Sequence, residues 1–268
     1  MPPAQPAIKA LTTSRCEGCV FTYPMRAITL GTGDAFGAAG RFHSAVLVRA
    51  GDSTALVDCG PCILPALQRS RIPAGDIDFI LVTHLHGDHV GGVPMLLLDY
   101  QYRSRRRRPL VVIGSALCPA GLEALTKAMF TEVGKNRRHF PVVYKTIRPG
   151  HPITIRGMRI HAYRMKHIDR EPCLGYRIEY HRKVLAITGD TTWCDSIPAM
   201  SQGANLLVSE CTDFDLQTPV HLSYTQLREH RAEIGAKRIV LTHIGADLLK
   251  NRAKVRHHIA RDGECFDI

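Results

Sequence analysis

Four side chains able to ligate a metal crowd into the segment Thr83-His84-Leu85-His86-Gly87-Asp88-His89. Neutral imidazole and carboxylate suit zinc, manganese or iron, and a site built from these alone usually keeps one position open for water, the arrangement of a catalytic rather than a structural centre. His84 and His86, two apart on an extended segment, project to one side. The turn through Gly87 carries Asp88 and His89 to a neighbouring position. One ion could take the first pair and a second ion the other, once more distant ligands complete each set. Chance clustering of polar residues on an exposed loop is the bland alternative.

Such a loop needs a rigid support, and the apolar run Asp78-Phe79-Ile80-Leu81-Val82 directly before it reads as a buried strand. Short β-branched runs bounded by Gly or Asp turns read as strands over 26–30, 44–50, 54–58 and 79–83, with helices over 61–69, 90–102 and 120–132. The pattern then recurs, with strands over 142–147, 158–164, 175–180, 184–188, 206–210 and 238–242 and helices over 194–200 and 224–235. Two mixed β-sheets packed face to face with helices outside form an α/β, four-layer αβ/βα sandwich, because each sheet must bury one face against the other and one under helices. Residues 1–25 read as a partly irregular N-terminal extension and 26–268 as one domain, a size that can bury a substantial core.

The sequence His84-x-His86-x-Asp88-His89, followed by Gly91-Gly92, resembles the metallo-β-lactamase superfamily of metallohydrolases. Leu30-Gly31-Thr32-Gly33-Asp34 and Leu56-Val57-Asp58-Cys59-Gly60 are similar to its first Gly-rich turn and to its strand ending in an Asp-x-Gly turn. Downstream, His167, Asp190 in Thr188-Gly189-Asp190-Thr191 and His243 in Leu241-Thr242-His243-Ile244 resemble the remaining ligands, so the match runs from about residue 26 to about residue 246. The resemblance implies the same sandwich, with the ligands on loops at one edge. It implies two divalent ions, zinc first with manganese or iron as alternatives: His84, His86 and His167 on one, Asp88, His89 and His243 on the other, Asp190 bridging. Asp58 would hydrogen-bond a ligating histidine, or simply form the turn before Gly60.

In the second half, Gly175-Tyr176-Arg177-Ile178, Gly189-Asp190-Thr191, Glu210-Cys211-Thr212 and a His221 placed 22 residues before His243 resemble ribonuclease Z and its phosphodiesterase relatives. In that branch the equivalents of Glu210 and His221 pair near the leaving group, which makes His221, Glu210, Asp88 and Asp190 the candidate catalytic residues. For His221 the structural alternative is capping of the helix begun by Leu222-Ser223-Tyr224. The long arm with which ribonuclease Z grips tRNA is commonly inserted between the Gly-Tyr-Arg and Gly-Asp-Thr strands, where this chain has little more than His181-Arg182-Lys183. Mature-tRNA processing is therefore in doubt. The armless members include cyclic-nucleotide phosphodiesterases and a cyclic phosphate diesterase of the phosphonate pathway, whose Cys-rich insertion after the Gly-Thr-Gly turn is not reproduced over 34–40.

Together these readings imply a binuclear hydrolase in which a metal-bridging hydroxide attacks a nucleotide, RNA-derived or other small phosphodiester. The alternative is hydrolysis of a carboxylic ester, lactone, thioester or β-lactam at the same metals, which would have no particular need for Glu210 and His221. A redox diiron enzyme is unsupported because no flavin module follows, and a nucleic-acid-binding module with a vestigial site would lack ligands that are present here. His43 and Arg41 are placed to touch substrate phosphate or to serve only the loop, and Thr191 to cap the helix after it.

Composition adds a hint about partners. The formal charge is +11, and the excess has a local source in Arg103-Ser104-Arg105-Arg106-Arg107-Arg108, which reads as a solvated connection or as attraction for a polyanion. Nucleic acid is compatible with that charge, although aromatics are only 6% and do not interleave with the arginines as single-strand binding prefers. The nine cysteines are odd in number and scattered, no signal-like leader precedes the domain, and no apolar run approaches the ~20 residues of a membrane helix. A cytoplasmic location with no membrane partner is expected. Relatives are often dimers, so the resemblance suggests a homodimer. Cys16/Cys19 and Cys59/Cys62 have metal-like spacing but are expected to be small packed side chains.

Overall fold

A computed structural model describes residues 24–134 and 137–268. Its first half runs β1 (Met25–Gly31), β2 (Ala45–Ala50), β3 (Ser53–Val57), α1 (Ile63–Arg69), β4 (Phe79–Leu81), α2 (Gly87–Val90), α3 (Val93–Tyr102), β5 (Leu110–Gly114), α4 (Cys118–Met129) and β6 (Val142–Thr146). The second runs β7 (Ile153–Ile155), β8 (Met158–Arg164), β9 (Leu174–Tyr180), β10 (Lys183–Ile187), α5 (Ser196–Ser201), β11 (Leu206–Glu210), α6 (Tyr224–Glu229), β12 (Ile239–Thr242), α7 (Ala246–Lys250), β13 (His258–Ile259) and β14 (Glu264–Asp267).

Two seven-stranded sheets result, ordered β14-β1-β2-β3-β4-β5-β6 and β13-β12-β11-β10-β9-β8-β7. Read from β14 in the first and from β7 in the second, each has three antiparallel steps followed by three parallel ones, so the halves repeat one plan. The apolar residues divide into three layers. Phe79 and Leu81 join Val46, Val48, Ile160, Tyr176, Ile178 and Val208 between the sheets. Ile80 and Val82, one residue out of phase, pack under α1, α3 and α4 with Leu67, Leu96 and Leu122. Alternation thus sends β4 into two cores at once, which is why a strand covered on both faces reads as a continuous apolar run. The other sheet packs beneath α5, α6 and α7 through Met200, Leu227 and Leu248. The expected four-layer sandwich is the observed fold.

The differences are local. Leu110–Gly114 was not expected as a strand, yet it is a central parallel strand between β4 and β6; its Leu-Val-Val-Ile run lacks alternation and follows the arginines. The short edge strands β7, β13 and β14 and helix α7 also escaped, being two to five residues long. The arginine run is not a uniform solvated patch. Arg106 is buried, its guanidinium donating to the carbonyls of Ile77 (2.8 Å), Arg108 (3.0 Å) and Pro109 (2.9 Å) and lying 4.7 Å from the Tyr100 ring centroid. Arg108 pairs with Asp78 and donates to Gly75 O at 2.7 Å. These two clamp the approach to β4, while Arg103, Arg105 and Arg107 are exposed.

Among the described residues no helix is long and apolar enough to cross a membrane. β9 and β10 form a hairpin with Tyr180 paired to Lys183, so only His181 and Arg182 join them. The Cys16/Cys19 pair and most of the expected N-terminal extension lie outside the described residues.

Candidate metal centre and active site

The parallel strands end at one edge, and the chemistry-bearing residues follow those ends. Asp58 comes directly after β3, Thr83 and His84 after β4, Asp190 after β10, Glu210 closes β11 and His243 follows β12. β8, parallel in direction to β10, delivers His167 to the same edge. The one-turn α2 carries Asp88 and His89 round from His84 and His86. Asp58 and His243 both adopt left-handed backbone, with φ of 59° and 54°. Such a conformation costs on the order of 1 kcal/mol or more for a non-glycine residue and persists where the surroundings dictate it, as at functional sites.

All seven expected ligands converge. One group contains His84, His86, His167 and Asp190, a second Asp88, His89, Asp190 and His243, with ligand atoms within 4.8 Å of one another in each. Asp190 belongs to both. Its Oδ1 lies 3.1 Å from His89 Nε2, and its Oδ2 lies 3.3 Å from His243 Nε2 and 3.9 Å from both His84 Nε2 and His167 Nε2. Asp88 Oδ2 is 3.3 Å from the Nε2 atoms of His89 and His243, and His86 Nδ1 is 3.2 Å from His167 Nε2. Two donors on one tetrahedral zinc, each bonded at about 2.0–2.1 Å, stand about 3.3 Å apart, so most of these separations match donors aimed at a common ion. His84 Nε2, His89 Nε2 and Asp190 Oδ1 are moreover buried without any hydrogen-bond partner. Three orphaned polar atoms facing one another in the interior would be costly unless a cation satisfies them. The residues present therefore fit a metal.

The far nitrogen of four of the five ligating imidazoles is occupied. Asp58 Oδ2 lies 2.7 Å from His89 Nδ1 and accepts the Thr83 hydroxyl at 2.8 Å, while its Oδ1 accepts the Thr83 N–H at 2.8 Å. Because the Thr83 hydroxyl donates to Asp58, it accepts from His84 Nδ1, 3.0 Å away. The same relay recurs across the site: His243 Nδ1 is 2.9 Å from Thr212 Oγ1, which donates to Glu210 Oε2 at 3.0 Å. His167 Nδ1 donates to the Val220 carbonyl at 2.7 Å. Each contact fixes the tautomer that leaves Nε2 facing the cluster.

The electrostatics follow from crowding buried carboxylates and imidazoles. Burial tends to raise Asp190, but His243 and His89 overcome it and hold the carboxyl well below the usual range. Burial tends to lower His89, yet Asp190 and Asp58 hold it well above its ordinary value. For His84, burial and the neighbouring His89 win, and it is driven well below. The interior here stores negative charge that only a proton or a metal cation can balance.

Glu210 is a second hub. Its Oε1 accepts the Thr191 N–H and faces His221 Nδ1 at 3.0 Å; its Oε2 accepts Thr212 Oγ1 and the Leu222 N–H at 3.2 Å. Burial works to lower His221, but the hydrogen bond to Glu210 and its charge prevail and raise it to about 9. Helix capping is not the task of His221, because Ser223 is the N-cap of α6 and forms a capping box with Gln226. The other candidates separate. Arg41 donates to Thr32 Oγ1 and Ala260 O, both at 2.6 Å, and so serves its loop. His43 Nδ1 sits 3.3 Å from Cys62 Sγ, and Cys59 is buried. The Thr191 hydroxyl bonds back to the Thr192 carbonyl at 2.6 Å, and α5 starts later, at Ser196.

The family described as Anti-Pycsar protein Apyc1 matches residues 25–266, nearly the whole chain. The chain belongs to that family. The protein is 28% identical over 234 residues to a ribonuclease Z of Mycolicibacterium gilvum (strain PYR-GCK), covering 80% of this chain and 82% of that one. Among solved structures it resembles the metallo-β-lactamase fold protein YhfI from Bacillus subtilis, with a TM-score of 0.75, 26% identity and 92% and 100% of the two chains covered. It also resembles human tRNase Z, short form (ELAC1), with a TM-score of 0.74, 25% identity and 90% and 98% covered. This family member thus has the metallo-β-lactamase fold and the motifs of the ribonuclease Z and phosphodiesterase branch.

Four groups that shape the site were missed in the sequence. Thr83 and Thr212 adjoin residues already singled out and could have been found by asking what orients each histidine. Glu171, whose carboxylate accepts the Leu85 N–H at 2.8 Å and ties a distant loop to the metal segment, gives no such signal. Neither does the Val220 carbonyl, since every residue has one.

Proposed function

We propose that this protein is a binuclear, metal-dependent phosphoric diester hydrolase acting on a small nucleotide phosphodiester, cyclic nucleotides included. One observation carries the reading: the cluster that shares Asp190 between two donor sets opens onto a Glu210–His221 pair, His221 Nδ1 lying 3.9 Å from Asp190 Oδ2. Likeness to ribonuclease Z supports the diester class. The two-residue β9–β10 connection, which leaves no room for a tRNA-gripping arm at that place, favours a compact substrate.

His84, His86 and His167 would hold one divalent ion and Asp88, His89 and His243 another, with Asp190 between them; zinc suits this donor set first, manganese or iron next. Bound there, two such ions supply water acidified to neutral pH and positive charge against the phosphoryl oxygens. The protein's own contribution is orientation and a proton. Asp58 fixes His89 directly and His84 through Thr83, and Glu210 fixes His243 through Thr212. His221, its Nδ1 bound by Glu210, keeps Nε2 free to give a proton to the departing alkoxide.

Metal analysis of the purified protein coupled to a substrate panel tests the reading. Bis(p-nitrophenyl) phosphate and cyclic nucleotides should be hydrolysed by protein carrying two equivalents of metal, with nitrocefin, a homoserine lactone and a glutathione thioester left intact. Preference for any of the last three would refute the diester assignment, and full activity at one equivalent would refute the second ion.

A further inference from the structure

Beside the metal cluster, between the two sheets, lies a cavity of about 10 Å³, the space that one water molecule needs. Val46, Val57 and Ile187 from the core between the sheets form its apolar walls, and Ser44, Asp190 and Thr242 are among its polar ones. Strand alternation brings Thr242 there. Ile239 and Leu241 of β12 pack under the helices and Val240 packs between the sheets, so the Thr242 side chain, two residues on, follows Val240 inward. Thr242 is only 7% exposed, and its hydroxyl is buried without a hydrogen-bond partner in the protein. A hydroxyl placed so is costly unless something in the cavity bonds it.

Asp190, shared by both donor sets, borders the same cavity and has a matching need. The carboxylates behind the histidines are saturated: Asp58 takes the Thr83 N–H and hydroxyl, and Glu210 faces four donors. Asp190 Oδ1 has no hydrogen-bond partner, and the nitrogens nearest its carboxylate belong to His84, His89, His167 and His243, themselves expected ligands. Metal ions would take one lone pair of each oxygen and leave others free. A ligating carboxylate is ordinarily held by a hydrogen bond of its own, yet no hydroxyl or main-chain N–H among the described residues donates to this one.

We propose that the cavity is the binding site of a single internal water molecule, which bridges the Thr242 hydroxyl to the Asp190 carboxylate and orients the carboxylate between the two donor sets. The apolar walls favour a neutral occupant, since an ion would find no ligand on that side. A water has one donor for Asp190 and a donor and lone pairs left for Thr242 and the other polar walls, which gives it the two to four partners that internal waters have. Thr242 is thereby a positioning residue acting through the water. The inference rests on the metal reading of Asp190 and not on the diester assignment.

The test is a high-resolution crystal structure of the metal-loaded protein, with wild type beside Thr242→Val and Thr242→Ser. Wild type and Thr242→Ser should show one density peak within hydrogen-bond distance of both the hydroxyl at position 242 and the Asp190 carboxylate. Thr242→Val keeps the shape, removes the hydroxyl and should lose the peak. A wild-type cavity without the peak, or a peak unchanged in Thr242→Val, overturns the proposal. In solution the two roles of the hydroxyl have opposite signs. If it holds the water, Thr242→Val should lower Tm by about 2–4 °C and speed metal loss to a chelator by roughly 10-fold, with Thr242→Ser close to wild type in both. If the hydroxyl simply lacks a partner, its removal relieves a cost, so Tm rises with metal retention unchanged, and the bridge is refuted. Failure of the purified protein to bind any divalent ion would refute the metal reading of Asp190, while the density peak in the metal-free protein would still decide the water.

Discussion

Replacing Glu210 by Gln removes one charge and keeps the shape, so it isolates what that carboxylate does for His221. With Glu210 present, His221 is raised from 6.5 to about 9 against the pull of burial. The gap corresponds to about 3 kcal/mol of favourable interaction with the protonated ring. Without the charge, burial remains and the value should fall to 6.5 or below. At pH 8 the protonated fraction would drop from about 90% to about 3%, a loss of about 30-fold in any step that needs a proton from this ring. Bound cations would lower His221 in both proteins, preserving the difference. Acid catalysis needs the protonated form, so activity on an alkyl-leaving-group diester is present below the His221 pKa and lost as pH rises through it. The alkaline limb should move down by about 2.5 pH units or more in Glu210→Gln and vanish in His221→Ala. Activity on a p-nitrophenyl diester, whose leaving group needs no proton, should change little in either. The substitution has a structural cost as well, because all four partners of Glu210 are donors. A Gln amide turns its NH2 toward two of them, costing on the order of 1–3 kcal/mol and several degrees of Tm, so assays belong well below the variant's Tm. Equal losses on both leaving groups with metal content intact, or an unmoved alkaline limb, would refute the acid role.

Further outcomes are expected. His84→Ala and Asp190→Ala should each lose bound metal by elemental analysis and nearly all turnover, Asp190→Ala affecting both equivalents because it serves both donor sets; retention of two equivalents would contradict the bridging role. Thr212→Val, which keeps shape but breaks the link from His243 to Glu210, should weaken metal retention against a chelator by about 10- to 100-fold, with Thr212→Ser close to wild type. Arg106→Ala should destabilise the fold by about 2 kcal/mol in denaturant titrations, since it abandons the buried Ile77 carbonyl and two part-buried ones. The salt dependence of activity should not move, and a large change there would return the run to a polyanion-binding role.

What the chain carries locally could be read without coordinates. His84, His86, Asp88 and His89 expose their chemistry by type and spacing alone, and most of the longer strands and helices announce themselves by residue pattern, Leu110–Gly114 being the exception. The two-sheet sandwich follows, because strands with two apolar faces must be covered on both sides. Short elements such as Ile153–Ile155 or His258–Ile259 exist only because a neighbouring strand offers partners, and two or three residues contain no period to detect. The same distinction holds at the site. Sequence identified which imidazoles and carboxylates could act, whereas only the tertiary structure decided what holds four of the rings: Asp58 on His89, Thr83 on His84, Thr212 on His243 and a main-chain carbonyl on His167. It also decided that Arg106 turns inward and Phe36 outward. Residue type fixes what a group can donate, accept or ligate, but direction and burial depend on contacts between segments far apart in the chain, which no local pattern records.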